Sequence, residues 1–188
     1  MTASQALTDP VDRGLRLVRI FHPRPADFGR LRPIDGGSMP QAARDLLDHR
    51  QHMTVAMERR HGGPVALRVV AERADGDPGD AAAGYAREIL LLGPDGAVVQ
   101  HGIVRLDLGA VDREVAVAIR AGKIPLGRIL IGAGLLLEVQ RVRLLEVEPG
   151  PHLQGLFGGA SGPAWGRVAE ISVNGRPAVE LLEIVAPA

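Results

Sequence analysis

Twice in the second half of the chain a tight-turn sequence separates two runs of β-forming residues, and this pattern constrains the fold more than any other feature. Residues 87–92 (REILLL) and 97–106 (AVVQHGIVRL) flank Gly93-Pro94-Asp95-Gly96, and residues 166–173 and 178–185 flank Asn174-Gly175. Turn residues of this kind between β-rich runs predict antiparallel hairpins. A further strand over 65–72 and two more across 135–148 complete a sheet. Helices are predicted from Pro40, with Ala43, Leu46 and Leu47 on one side, over 52–60 before the stop signal His61-Gly62-Gly63-Pro64, over 111–121, and from Ile124-Pro125 onward. The fold class that follows is α+β: a single antiparallel β-sheet with helices packed on one face.

The remaining signals bound the organisation. Three prolines at 23, 25 and 33 and a polar start predict a tail and irregular wrap over 1–40, with one amphipathic stretch at 15–21. Residues 41–188 are expected as one domain, a length that suits a single core. The Asp-, Gly- and Ala-rich segment 74–84 is a candidate flap.

The 22 basic residues balance the 22 acidic ones, so no field steers the chain toward phosphate backbones or anionic lipid, and neither is an expected partner. The longest apolar run, 129–139, is far short of the roughly 20 residues of a membrane span. Absence of cysteine excludes thiolate metal sites and disulfides and suits a cytoplasmic protein. Aromatic residues make up 3% of the chain, which leaves charge and shape as the means of holding a ligand.

Two charges interrupt apolar strand faces. Arg87 shares parity with Ile89 and Leu91, and Glu183 with Val179, Leu181 and Val185. Each is either a solvated strand end or part of a polar pocket, because unpaired burial would cost several kcal/mol, on the order of charge desolvation. Parity leaves both readings open. His49 and His52 stand three apart beside Asp45 and Asp48, a spacing compatible with a metal but more simply a solvated helix surface, so no metal is expected. The glycine-rich run 155–162 does not follow a strand and open a helix, so it is not a dinucleotide fingerprint. Arg141 and Arg143 read as a solvent-facing pair, and His101 as a satisfied strand histidine.

In order, a series of short motifs resembles the chorismate lyase family. They are His52-Met53-Thr54, the run Tyr85-Ala86-Arg87-Glu88-Ile89-Leu90-Leu91, Pro125-Leu126-Gly127-Arg128, Trp165-Gly166-Arg167, and Gly175-Arg176-Pro177 followed by Glu183 and Pro187. The resemblance covers about residues 45–188. It implies a cofactor-independent carbon–oxygen lyase that releases pyruvate from chorismate to give 4-hydroxybenzoate. Arg87 would bind the ring carboxylate, aided by the backbone of Met53 and Leu126. Glu183, raised in pKa by apolar walls, would face the ether oxygen as catalytic acid, with Glu180 as the competing choice because the segment 177–183 is one residue longer than in the family. Val168 and Ala169 also stand where the family commonly has a further basic residue after Trp-Gly-Arg. Two alternatives accompany this reading: a lyase acting on another carboxylated enol ether, and a non-catalytic module binding a small carboxylate, as in regulator effector domains of related fold. Such domains usually follow a helix-turn-helix, for which residues 1–45 are too short and proline-rich.

Overall fold

The computed structural model describes residues 9–74, 84–160 and 162–187. Seven strands form one sheet: β1 (Gly29–Pro33), β2 (Ala66–Ala74), β3 (Gly84–Leu92), β4 (Val98–Asp107), β5 (Leu137–Pro149), β6 (Ala164–Val173) and β7 (Arg176–Val185). Their order is β1-β5-β6-β7-β4-β3-β2, and every neighbouring pair is antiparallel. The α+β class and the single antiparallel sheet are as expected, but helices cover both faces of the sheet rather than one, because the N-terminal segment folds into helices of its own. The last strand therefore lies at the centre of the sheet, where both its faces are covered.

Both hairpins form as their turns predict. Asn174 and Gly175 have φ of 50° and 78°, the pair of positive values that matches the right-handed twist of the flanking strands. Gly93 accepts from Gly96 N–H and donates to Ala97, closing the other turn. Where two strands were expected over 135–148 there is one. β5 runs through a bulge between Gln140 and Arg143, with Arg141 at a φ of 50°. An irregularity that bends a strand while pairing continues on both sides reads locally as a break.

Residues 10–33 differ most from the tail and wrap expected of them. Asp9 caps helix α1 (Pro10–Phe21), accepting from the amides of Val11 and Asp12 at 2.8 and 3.1 Å, with Pro10 in the first turn. A short turn of helix, α2 (Pro25–Phe28), leads into edge strand β1. The prolines thus start helices and end a strand. Leu17, Val18 and Phe28 bury against Ile103, Leu145, Val147, Val168, Leu182 and Ile184 on one face of the sheet.

The other face carries α3 (Gln41–Leu47), α4 (Met53–His61), α5 (Arg113–Arg120) and α6 (Leu126–Gly132). Gly62, at a φ of 68°, ends α4 in the left-handed conformation that the glycine pair predicted. This helical layer packs on Ile89, Leu91, Val104, Val139, Leu144, Ile171 and Leu181. A last short helix, α7 (Pro151–Leu156), follows β5 and closes beside α2. Residues 75–83 of the expected flap lie outside the described residues. Among those described, no helix is long and apolar enough to cross a membrane.

Candidate functional site

Strand alternation brings the singled-out charges to one face. Arg167 of β6 stands opposite Glu183 of β7, which stands opposite Gly102 of β4, which pairs with Ile89 of β3. One step along, Arg87 pairs with Val104, on the same side. These residues floor a cavity roofed by the first turns of α4 and α6. His52, Met53, Thr54, Leu126 and Gly127 complete the lining. The four residues expected to form a site, Met53, Arg87, Leu126 and Glu183, all line it. The cavity offers about 50 Å³ to water-sized occupants, room for a few waters where one needs roughly 10–15 Å³ on the same measure.

Arg87 is 1% exposed and lies in mid-strand, so it is not a solvated strand end. One guanidinium nitrogen donates to the carbonyl of Ile119 at 3.1 Å, and Nε has no hydrogen-bond partner. Its cross-strand neighbour Glu72 accepts instead from the Tyr85 hydroxyl at 3.0 Å, and among the described residues Arg87 forms no ion pair. Burial lowers the Arg87 pKa, with Tyr85 and Glu72 opposing the shift. Burial also pushes the Tyr85 phenol up to about 12, and the Glu72 carboxylate adds to that.

Met53 and Leu126 are the first residues of α4 and α6. Amides in a helix's first turn have no intrahelical acceptor and carry the positive end of the helix dipole. The two helix starts touch, since a Cβ built on Gly127 would lie 3.1 Å from Thr54 Oγ1 and 3.4 Å from His52 Cβ. Further along, Arg128 of α6 holds Glu58 of α4 through Nε at 3.0 Å and a terminal nitrogen at 2.6 Å. Two helix starts and the Arg87 side chain therefore line the same cavity, an arrangement suited to an anion.

At the other end Glu183 lies against Arg167, with Nε donating to Oε2 at 2.6 Å. Arg167 is itself 1% exposed and also donates to the carbonyls of Leu47, His49 and Gln51. The apolar walls expected around Glu183 are replaced by a fixed guanidinium. Glu180, the competing choice, points to the opposite face and pairs with Arg105 at 2.8 Å. Arg167 stands in one of the motifs, Trp165-Gly166-Arg167, but the resemblance assigns it no role. It shares parity with Trp165, Ala169 and Ile171, so the test that singled out Arg87 and Glu183 would have found it too. His49 and His52 lie in the connection between α3 and α4, half-buried beside this ion pair, rather than on a solvated helix surface, and burial lowers both pKa values.

The opposite face holds a second buried charge. Glu88, next in sequence to Arg87, is 1% exposed and receives the Nε2 atoms of His22, His101 and His152 at 3.0, 2.8 and 2.9 Å, all on Oε1. Burial alone would raise its pKa, but the three imidazoles overcome this and hold it at about 2.

No family model matches this chain, and no curated protein does. Solved structures do. The effector domain of PhnF from Mycobacterium smegmatis superposes with a TM-score of 0.54 at 14% identity, covering 72% of this chain and 88% of that one. The ligand-binding domain of a protein from Bordetella bronchiseptica, described as a GntR-family transcriptional regulator, gives 0.50 at 16% identity over 64% of this chain and 85% of its own. A regulator from Escherichia coli CFT073 gives 0.50 at 12% identity, with 65% and 96% covered. The shared property is the fold, that of regulator effector domains. These neighbours overturn the expectation of a lyase, on chorismate or on another enol ether. Two of these neighbours are described as an effector domain and a ligand-binding domain, and the residue expected as catalytic acid is locked in an ion pair.

Proposed function

We propose that this chain is a non-catalytic module that binds a small carboxylate in the cavity between the sheet and the starts of α4 and α6. The observation that carries this reading is Arg87: a buried guanidinium with an unpartnered Nε and, among the described residues, no carboxylate in ion-pair contact, since its cross-strand neighbour Glu72 accepts from Tyr85 instead. Such a group is costly unless paired, and a ligand carboxylate supplies both the charge and the acceptors. Arg87 would hold that carboxylate, the amides of Met53 and Leu126 would complete its acceptor demand, and the Arg167–Glu183 pair would meet the polar substituent at the far end. The solved chains of this fold include domains described as effector and ligand-binding, which supports a binding role. Because those belong to regulators, the balanced net charge speaks only to this domain's own contacts.

A ligand with an aromatic ring exceeds the room for a few waters, so binding requires the starts of α4 and α6 to part, with the Arg128–Glu58 contact as the latch. Calorimetry with benzoate and 4-hydroxybenzoate tests the reading, with benzamide as the uncharged control. Arg87→Met should weaken the carboxylates roughly a hundredfold, as expected for losing charge-assisted hydrogen bonds. Equal affinity for benzamide, or undiminished binding by the variant, would sink the proposal.

A further inference from the structure

The Glu88 cluster lies across the sheet from the carboxylate cavity and has its own chemistry. Three imidazole nitrogens crowd within 3.0 Å of one carboxylate oxygen. An oxygen of that kind has two lone pairs, so three donors converge where two can be well accommodated. Convergence of this sort is what a cation-binding set looks like. His22, Glu88 and His152 each offer one ligand atom, all within 4.8 Å of one another. Two imidazoles and a carboxylate are a donor set that suits divalent first-row transition metals.

We propose that His22, Glu88 and His152 form a binding site for a divalent metal ion of the zinc class, with His101 as a positioning residue. The fit is close. A tetrahedral ion held at about 2.0–2.1 Å from its nitrogen and oxygen ligands keeps those atoms roughly 3.3 Å apart. The present separations of 3.0 and 2.9 Å from Glu88 to His22 and His152 need to open by only a few tenths of an ångström. The side chains of His22 and His152 are 13% and 29% exposed, which gives the ion a way in and their rings room to adjust. His101 is fully buried, and its Nε2 contacts the same Oε1 of Glu88 at 2.8 Å, an outer-shell contact of the kind that orients a metal-binding carboxylate. Phe28 walls the group, its ring 5.4 Å from those of both His22 and His101.

The ligands come from three places. His22 is the residue that ends α1, Glu88 lies within β3, and His152 sits in the first turn of α7. A metal here would clip the N-terminal helix and α7 onto the sheet, so binding would appear as stability.

The test uses the whole chain, stripped with a chelator and titrated with Co²⁺ and Zn²⁺. One equivalent of Co²⁺ should bind and give visible ligand-field bands that Zn²⁺ displaces. At a hundredfold excess over Kd, Zn²⁺ should raise the melting temperature by roughly 5–10 °C. His152→Ala and His22→Ala should each weaken binding at least tenfold. His152→Asp, which keeps a ligand, should retain Co²⁺ with shifted bands, and His61→Ala should change nothing. Circular dichroism confirms that the variants remain folded, and His152, the least buried of the three imidazoles, is the safest to replace. A chain that takes up no stoichiometric Co²⁺, or whose uptake survives in the folded His22→Ala/His152→Ala variant, overturns the assignment. Loss of carboxylate binding by Arg87→Met has no bearing on this outcome, so the two sites fail separately.

Discussion

Arg87 and Glu88 are neighbours in the chain and buried to the same degree, yet they meet opposite surroundings. Strand alternation sends them to different faces of the sheet, so they cannot neutralise each other. On the Glu88 side, side chains satisfy the charge in place: three imidazoles close on one oxygen. On the Arg87 side the charge forms no ion pair among the described residues and lies beneath a cavity roofed by helix starts. A buried charge that the protein satisfies itself contributes to holding the fold together. One left unsatisfied costs stability and is retained where it meets something from outside.

This contrast can be broken experimentally, and the largest effect is expected at Glu88. Glu88→Ala removes the common acceptor of three buried or half-buried imidazoles, and in metal-free protein it should cost about 3–5 kcal/mol, since two to three buried donors are left unsatisfied at about 1–3 kcal/mol each. Urea unfolding would show it as a lower midpoint at unchanged slope. Stability within the error of wild type would remove the distinction between the two faces.

Arg167→Met comes next, because it strands Glu183 without its cation and should destabilise by about 2–4 kcal/mol. Adding Glu183→Leu should recover most of that loss, since replacing both partners of a buried pair by apolar groups is often neutral. If the double variant is no better than the single one, the pair is not the unit assumed here.

Arg87→Met should go the other way. Replacing an unpaired guanidinium by an apolar side chain of similar length is expected to leave stability unchanged or raise it by about 1 kcal/mol, even as carboxylate binding is lost. A large destabilisation would mean that Arg87 is as structural as Glu88.

The smallest effect is spectroscopic and uses the only tyrosine in the chain. Tyr85 should ionise at about 12 in the folded protein, owing first to burial and then to Glu72, and in the ordinary range near 10 once unfolded. Because the folded value is raised, its contribution to stability is complete below pH 10 and is lost as the pH climbs toward 12. Glu72→Gln should lower the phenolate midpoint in an absorbance titration. An unshifted midpoint in the folded wild type would contradict the burial of Tyr85 and its contact with Glu72 beside Arg87.

Much of this was legible before any coordinates. The hairpin turns, the end of α4 and the antiparallel sheet follow from local chemistry, because an Asn-Gly pair or a glycine after a helix acts within a few residues. The candidate cavity was legible in outline, since parity marks Arg87 and Glu183 and the motif resemblance adds Met53 and Leu126. Arg167 was within reach of the same parity test. Helix α1 was obscured by prolines that also start helices, and the single bulged strand β5 by an irregularity that resembles a break.

The sequence by itself determined which residues alternate, where the chain turns, and which charges fall on apolar faces. The activity inferred from those residues did not survive, because whether Glu183 stands against apolar walls or against Arg167 depends on how β6 and β7 pair, not on any motif. Only the tertiary structure decided which distant groups meet. His22, Glu88, His101 and His152 share no local spacing, and the packing of α1 and α7 on the far face of the sheet brings them together. Short-range chemistry is written in adjacent residues. Contacts between elements depend on sheet order and on the two-residue alternation that separates Arg87 from Glu88, and these exist only once the whole sheet has formed.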